Sequence, residues 1–396
     1  MPDDQSPPGP ASGPAEPTVL SRQDLRRQKR RGSRTWWYAI GGVAVLVVGA
    51  AVAVVATLGS KPTAAKAAGT TTTTAAPAPV ATCPLTGAPA PGGTSPARPA
   101  LAVKIGNYPD DRPSAGLNQA DIVFEEPVEG AITRLVAVFQ CQGAQLVGDL
   151  RSARQPDAGI LSQFSDPLFV HAGGIQPVLS LLAGSPLIDK NLYSGDNGSA
   201  IIQEPGRFAP YSTFVNTTTL WALDPSDVTP PAPIFTYSAT LPKGVTPGSG
   251  TSVYIPFSSY ADVTWTWDAT TGMYLRSYSG TPDKLIDGTR PAAADVVIMT
   301  VPTATGPWVE NSEGGHEVFV TQTGSGPVVV MRNGVAITGT WTRTSLDRPA
   351  TFTATNGAPI TLQPGNAWVE LAPVGIPVTP AGAPTAPGAS PTTTSP

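Results

Sequence analysis

The chain has 396 residues, 45 of them proline and 41 glycine, with 24 Lys and Arg against 28 Asp and Glu for a net charge of −4. Pro and Gly gather in a few stretches too poor in apolar side chains to repay the entropy of ordering, so about two thirds of the chain should be globular. Basic residues gather as well: residues 1–35 carry seven, all within 22–34, and the rest nets −7, which excludes a general nucleic-acid binder.

Residues 1–35 read as a disordered cytoplasmic segment ending in the basic run Arg22, Arg26, Arg27, Lys29, Arg30, Arg31 and Arg34. Trp36 to Leu58 then form 23 residues with no charge. At about 1.5 Å per residue they reach roughly 34 Å, enough for one transmembrane helix, with Trp36, Trp37 and Tyr38 at an interface and the basic run holding the N-terminus inside. The expectation is a single-pass protein of the cell membrane whose globular part lies outside. A signal peptide cleaved in the Ala-rich stretch 64–68 is the rival reading. Residues 59–97, rich in Pro, Thr and Ala, read as a spacer.

The expected fold class is α+β: after the helix, a mixed α/β domain over 98–224, a linker over 225–250, and a mainly antiparallel β domain over 251–373, with a disordered tail from 374. In the first domain, apolar runs predict strands at 101–105, 121–126, 132–140, 145–151 and 168–171, and helices at 158–164, 177–183 and 217–223. In the second, alternation predicts strands at 263–268, 273–278, 295–301, 317–323 and 327–343, with hairpin turns at 268–272 and at Asn333-Gly334. Trp265, Trp267, Trp341 and Trp368 then read as core or strand-face aromatics, with a sugar-stacking surface as the lesser alternative. Cys83 and Cys141 fall beyond the apolar segment, where a disulfide is compatible with an oxidising compartment.

The stretch GDLRSARQPDAGILSQFSDPLFVHAGG concentrates two arginines, a histidine and a Gly-Gly pair. Strand alternation sends Asp149 and Arg151 to one side and Ser152 and Arg154 to the other, so at most one arginine enters the core; the reading gives Arg154 to the ligand. Gly173 and Gly174 fit a tight turn whose backbone amides suit an anion, beside His171 at a strand end. Arg134 shares a strand face with Ile132, Val136 and Val138 and so needs an acid, Glu125 or Glu129. Pro127 should end pairing and leave Glu126, Glu129 and Gly130 in a loop. The candidate ligand-binding set is therefore Glu125, Glu129, Arg134, Arg151, Arg154, His171, Gly173 and Gly174. No catalytic constellation, cofactor motif or metal-ligand spacing is present in the sequence, and His316 reads as a solvated loop residue.

The motifs CPLTG at 83–87, RPALAVKIGNYPDDRPSAGLNQADIVFE, EGAITRLVAVFQ, GDLRSAR, LFVHAGG, MYLRSYSGTP, TGTWTR and ITLQPGNAWVEL, in this order, resemble the YerB-type family of bacterial envelope proteins, a two-part domain of unknown function often found on lipoproteins. The resemblance covers about residues 83–373 and implies an envelope role without an established reaction. This sequence departs from the pattern in lacking a lipobox cysteine after the apolar run, in having Arg207-Phe-Ala-Pro210-Tyr211-Ser212 where relatives carry a basic residue followed by Pro-His-Asn, and in having Asp283 after Pro282 where a histidine is usual. The function expected is membrane-anchored binding of an envelope ligand or partner protein. A cell-wall hydrolase or transferase using His171 as acid-base is the alternative, and a purely structural protein the third.

Overall fold

The computed structural model describes residues 81–194, 197–223 and 230–381. The uncharged run 36–58, its basic lead-in and residues 59–80 lie outside the described residues. Among the described residues no helix is long and apolar enough to cross a membrane.

An 11-stranded sheet organises the fold. From the first segment come β1 (Leu101–Gly106), β2 (Ile122–Val128), β3 (Ile132–Phe139), β4 (Leu168–His171) and β5 (Ile188–Asn191). From the second come β6 (Asp295–Val301), β7 (Gly324–Arg332), β8 (Val335–Arg343), β9 (Thr351–Ala354) and β10 (Ala367–Pro373). The order is β9-β8-β7-β6-β10-β2-β3-β1-β4-β5, so strands of both segments lie side by side, with β2 paired in parallel to β10. The second segment is thus not purely antiparallel, because β6 and β10 also pair in parallel. The reason lies in their composition: DVVIMTV and AWVELAP are almost wholly buried, as strands covered on both faces must be.

One face of the sheet is covered by two short helices, α1 (Gln155–Leu161) and α2 (Gln176–Ala183), which join its core through Ile160, Leu161, Val178 and Leu182, while α3 (Thr217–Leu223) packs Leu220 and Trp221 into the core of the opposite face. Pro156 and Pro177 sit in the first turns of α1 and α2, where a missing N–H costs nothing. The helix α1 begins at Gln155, earlier than predicted, because the Asp157 carboxylate accepts the Arg154 amide at 2.6 Å and fixes the start. The opposite face packs on a second, antiparallel sheet built from Ser252–Pro256, Asp262–Asp268, Met273–Tyr278 and shorter pieces, with Trp265 and Trp368 edge to face at 5.0 Å. Trp265, Trp341 and Trp368 are buried, which makes them core.

Several boundaries move. The fold begins at Cys83, which forms a disulfide with Cys141, and Leu85 is fully buried, so 83–97 is more than spacer. Residues 230–250, expected in the linker, pack too: Ile234 is in the core, the Ser238 amide donates to the Leu362 carbonyl and the Leu362 amide to the Thr236 carbonyl, and Gly248–Ser249 pairs with β8. Thr379–Ala381, expected in the tail, adds a strand beside Ser252–Pro256. Most consequential, the predicted strand 145–151 shrinks to Val147–Gly148 and leaves residues 149–154 irregular, so alternation does not govern where Arg151 and Arg154 point.

Candidate functional site

In β1, β2 and β3 even-numbered residues face the helices, and this places Lys104, Glu126 and Arg134 on an otherwise apolar surface beside Ala102, Phe124, Val136 and Val138. Lys104 is fully buried and pairs with Glu126 and with Asp157 at 2.8 Å. Strand β2 runs through Pro127, which aligns with Thr133, so Glu126 is a buried strand residue and not a loop residue. Arg134 donates to the Ser152 carbonyl at 2.8 Å and meets Glu129 at 3.5 Å. Burial, then the neighbouring Arg154 charge, lowers the Arg134 guanidinium to about 10.

Glu129 is the centre of this group. It follows β2, and Gly130, at φ 75°, lets the chain turn there as few other residues could. Arg154 grips it with two guanidinium nitrogens, Nε to Oε2 at 2.7 Å and Nη2 to Oε1. Burial pushes the Glu129 carboxyl up, but the hydrogen bond from Arg154 and the charges of Arg134 and Arg154 outweigh it and bring the group down to about 2. Arg154 is therefore only 4 % exposed, contrary to the expectation that it would face a ligand while Arg134 alone was buried. With 149–154 irregular, the Arg154 side chain folds over the ends of β2 and β3 into the pair that satisfies it.

The remaining partners come from a two-stranded hairpin, Thr303–Val309 and His316–Val320. Its Glu310 meets Arg154 at 3.1 Å, and its Glu317 lies 3.9 Å from Arg154 and accepts the Gln155 amide at 2.7 Å. Burial, then a hydrogen bond with Glu310, raises the Glu317 carboxyl to about 9, so at neutral pH it is the proton donor to Glu310. That shared proton accounts for the Glu310 and Glu317 oxygens that have no other partner. His316 itself starts a strand, exposed, with Nδ1 2.9 Å from the Gly306 carbonyl.

Arg151 lies apart from this group, its Nε 3.4 Å from Asp111 and its guanidinium carbon 5.3 Å from the centre of the Tyr211 ring. Asp111 in turn shares a proton with the fully buried Asp149, which burial and then Asp111 raise to about 9. Arg207 ties the neighbouring loop to the carbonyls of Asp111 and Pro113 at 3.1 to 3.2 Å. His171 is fully buried: Nδ1 faces the Gly173 carbonyl and Nε2 the Asp189 carboxylate, each at 2.8 Å, and its ring stacks on Phe169. Both ring nitrogens are engaged, which leaves none for a substrate.

Glu125 is on the other face of the sheet. It accepts Arg276 at 3.0 and 2.8 Å, Thr133 at 2.7 Å and Asn107 at 3.1 Å. Burial, then the neighbouring Glu125, pushes the carboxyl of its parallel neighbour Glu370 well above the usual carboxylate range, and Glu370 accepts the Trp265 indole N–H at 2.7 Å. Of the predicted set, the structure thus joins Glu129, Arg134 and Arg154, keeps Arg151 and His171 nearby in separate pairs, and removes Glu125. Sequence reasoning missed Lys104, Asp157, Arg276, Glu310, Glu317 and Glu370. A lone charge inside LAVKIG, MYLRSY and AWVEL was the available signal for three of them.

Above the paired charges an open cleft of about 540 Å³ is lined by Ser152, Arg154, Gly173, Gly174, Asn191, Tyr193 and Glu310, with Ala172, Ile175 and Leu179. It lies past the carboxyl ends of the parallel neighbours β1, β4 and β5, where α2 carries the chain from β4 to β5. Ligands of open α/β sheets bind at such edges. Gly173, at φ 72°, makes the turn, and its amide is bound by Asn191 at 3.1 Å, so the turn is braced and not an empty anion cradle.

Residues 85–228 match the N-terminal domain, and residues 253–369 the C-terminal domain, of the family described as "Protein of unknown function (DUF3048)". The chain belongs to this family. The DUF3048 relative named "Putative lipoprotein YerB", from Bacillus subtilis (strain 168), is 44% identical over 90 residues, which are 23% of this chain and 27% of that one. The match thus spans about a quarter of that relative's length. The crystal structure of YerB protein from Bacillus subtilis superposes with a TM-score of 0.65 at 21% identity, covering 76% of this chain and 99% of that one, and shows a common fold. The cleft draws on both DUF3048 parts, since Arg154 comes from the first and Glu310 from the second.

Proposed function

We propose that this DUF3048 protein is a membrane-anchored envelope protein that binds an envelope ligand or partner protein in the cleft over Arg154. One observation carries the reading: Arg154, Gly173 and Gly174, singled out from sequence, line one open cavity at the carboxyl edge of parallel strands. The paired charges beneath form its floor. The relative's name as a lipoprotein and the Cys83–Cys141 disulfide support an extracytoplasmic location, and the uncharged run 36–58 after a basic segment supports a helical anchor with the N-terminus inside.

A purely structural role is the second reading, favoured by the mutual burial of Glu129, Arg134, Arg154, Glu310 and Glu317. A hydrolase or transferase using His171 has less support, because both ring nitrogens are occupied. Two measurements test the proposal. Protease added to wall-stripped cells should remove the folded part and leave a small protected N-terminal piece; a uniform soluble product beginning near Ala68 refutes the anchor. Full-length protein in detergent should retain isolated envelope fractions, and Ser152→Trp, which fills the cleft, should abolish retention without lowering the melting temperature. Undiminished retention refutes the cleft.

A further inference from the structure

Arg154 does not hold its acids equally. It grips Glu129 with two nitrogens, Nε at 2.7 Å and Nη2, in a planar fork. Its remaining nitrogen, Nη1, donates to the Ala153 carbonyl at 2.8 Å and meets Glu310 at one point only, 3.1 Å away. Glu310 is the single-point partner, and it is the one that lines the open cavity.

Charge counting shows what Glu310 does there. Within the first segment Lys104 is answered by Glu126 and Asp157, but Arg134 and Arg154 have one acid between them, Glu129. The floor of the cleft therefore keeps an excess positive charge until the hairpin Thr303–Val309/His316–Val320 supplies an anion. It brings one negative charge, because Glu310 and Glu317 share a proton.

The hairpin is built so that this anion can leave. Its base is fixed: Val320 is buried in the helix-side core, its amide donates to the Gln155 side chain at 3.0 Å, and the Thr321 amide to the Pro302 carbonyl at 2.9 Å. Pairing shifts register between Thr305 and Val309 and resumes with Val309 opposite His316. Beyond that break the tip closes on itself, through the Glu310 amide on the Gly315 carbonyl at 2.7 Å and the Asn311 side chain, which accepts the amides of Glu313 and Gly315. Residues 311–314 are exposed, so a Glu310 that leaves Arg154 enters water and strands no charge. Glu317 stays behind on the Gln155 amide at 2.7 Å.

We propose that Glu310 is a built-in stand-in for a ligand carboxylate, which displaces the hairpin tip and takes over its contacts with Arg154 Nη1 and the Glu317 carboxyl. This rests on the cleft being a binding site. The remaining wall, Ala172, Ile175 and Leu179, is apolar and suits small apolar groups beside that carboxylate, as at the C-terminus of an alanine-containing peptide.

The test is calorimetric titration of full-length protein in detergent with N-acetyl-alanyl-alanine and with its C-terminal amide. The wild type must first release Glu310, so Glu310→Gln, which keeps the shape and removes the charge, should bind the acid about tenfold more tightly, and Glu310→Ala at least as tightly. Either variant decides the matter. The amide should bind wild type and variants about tenfold more weakly than the acid binds Glu310→Gln. An acid that binds none of these proteins, an affinity unchanged by both substitutions, or an amide that binds as well as the acid each overturns the stand-in. Ser152→Trp separates the two claims. If it abolishes retention of envelope fractions while the Glu310 variants gain nothing, the cleft stands and the stand-in falls; if Ser152→Trp combined with Glu310→Gln still binds the acid in full, the cleft itself is wrong.

Discussion

Arg154→Ala should be among the most destabilising single changes in this protein, and the structure sets its size. The side chain is 4 % exposed and answers three carboxyl groups, Glu129, Glu310 and Glu317. Glu129 falls from an ordinary 4.5 to about 2 in the fold. A carboxyl so lowered favours the ionised folded state by roughly 3 kcal/mol, most of it through Arg154. Leaving Glu129 and Glu310 buried with only Arg134 at 3.5 Å adds the cost of an uncompensated ion, so about 3 to 5 kcal/mol should be lost, or roughly 10 °C in Tm. The sign of the pH dependence follows. Because the folded value of Glu129 lies below its unfolded value, its contribution is present above pH 4.5 and disappears as pH falls toward 2. The deficit of the variant in urea-induced unfolding should therefore be largest near pH 7 and narrow below pH 4. A variant within 1 kcal/mol of wild type at pH 7, or a deficit unchanged by acid, would refute the reasoning.

The Glu125 and Glu370 pair makes a contrast testable by thermal melts: Glu370→Gln keeps a donor toward Glu125 and should cost under about 1 kcal/mol, whereas Glu125→Gln leaves Arg276 with Asp283 as its remaining acid and should cost about 3 kcal/mol or more. Glu317, raised to about 9, binds its proton more tightly folded than unfolded, so its contribution is whole below pH 4.5 and is lost as pH rises through 9; melts of Glu317→Gln across that range should show less loss than wild type. Reducing the Cys83–Cys141 bond, which closes 58 residues, should destabilise by roughly 4 kcal/mol, seen as a lower Tm with reductant that a Cys83→Ser variant does not share.

What the sequence made legible was decided by how local the physics is. Strands β1, β3, β4, β6 and the Met273–Tyr278 strand lie within a residue of their predicted limits, because apolar runs and strict alternation are properties of the strand itself. The helix Thr217–Leu223 coincides with its prediction for the same reason. The stretch 149–154 failed because its conformation is imposed from outside: Ala153 bonds Gly173, Ala172 bonds Arg151, and the Arg154 amide bonds Asp157. Once that strand dissolved, the inference that one arginine must point outward had no basis. Arg134 was read correctly as a buried charge needing an acid, since regular alternation holds in β3; which acid answered it depended on the Gly130 turn. Glu310 and Glu317, more than 150 residues from Arg154, could not be assigned from sequence at all.

The placement of β10 explains why site and fold cannot be divided at the 225–250 stretch. This strand lies between β2 and β6, parallel to both, so its backbone is paired on both edges and both of its faces are buried. Its Val369 and Leu371 join the helix-side core, while Trp368 packs on Trp265 and Glu370 meets Glu125 on the other face. Withdrawing the second segment would expose the long apolar edge of β2 and strand Glu125 without Arg276, a buried acid whose guanidinium comes from 151 residues away. The same withdrawal would take Glu310 from the cleft and Glu317 from the start of α1, leaving Arg154 half paired. The cleft over Arg154 is therefore a product of both parts of the chain, with Arg154, the Gly173-Gly174 turn and Tyr193 from the first and Glu310, which pairs with its arginine, from the second.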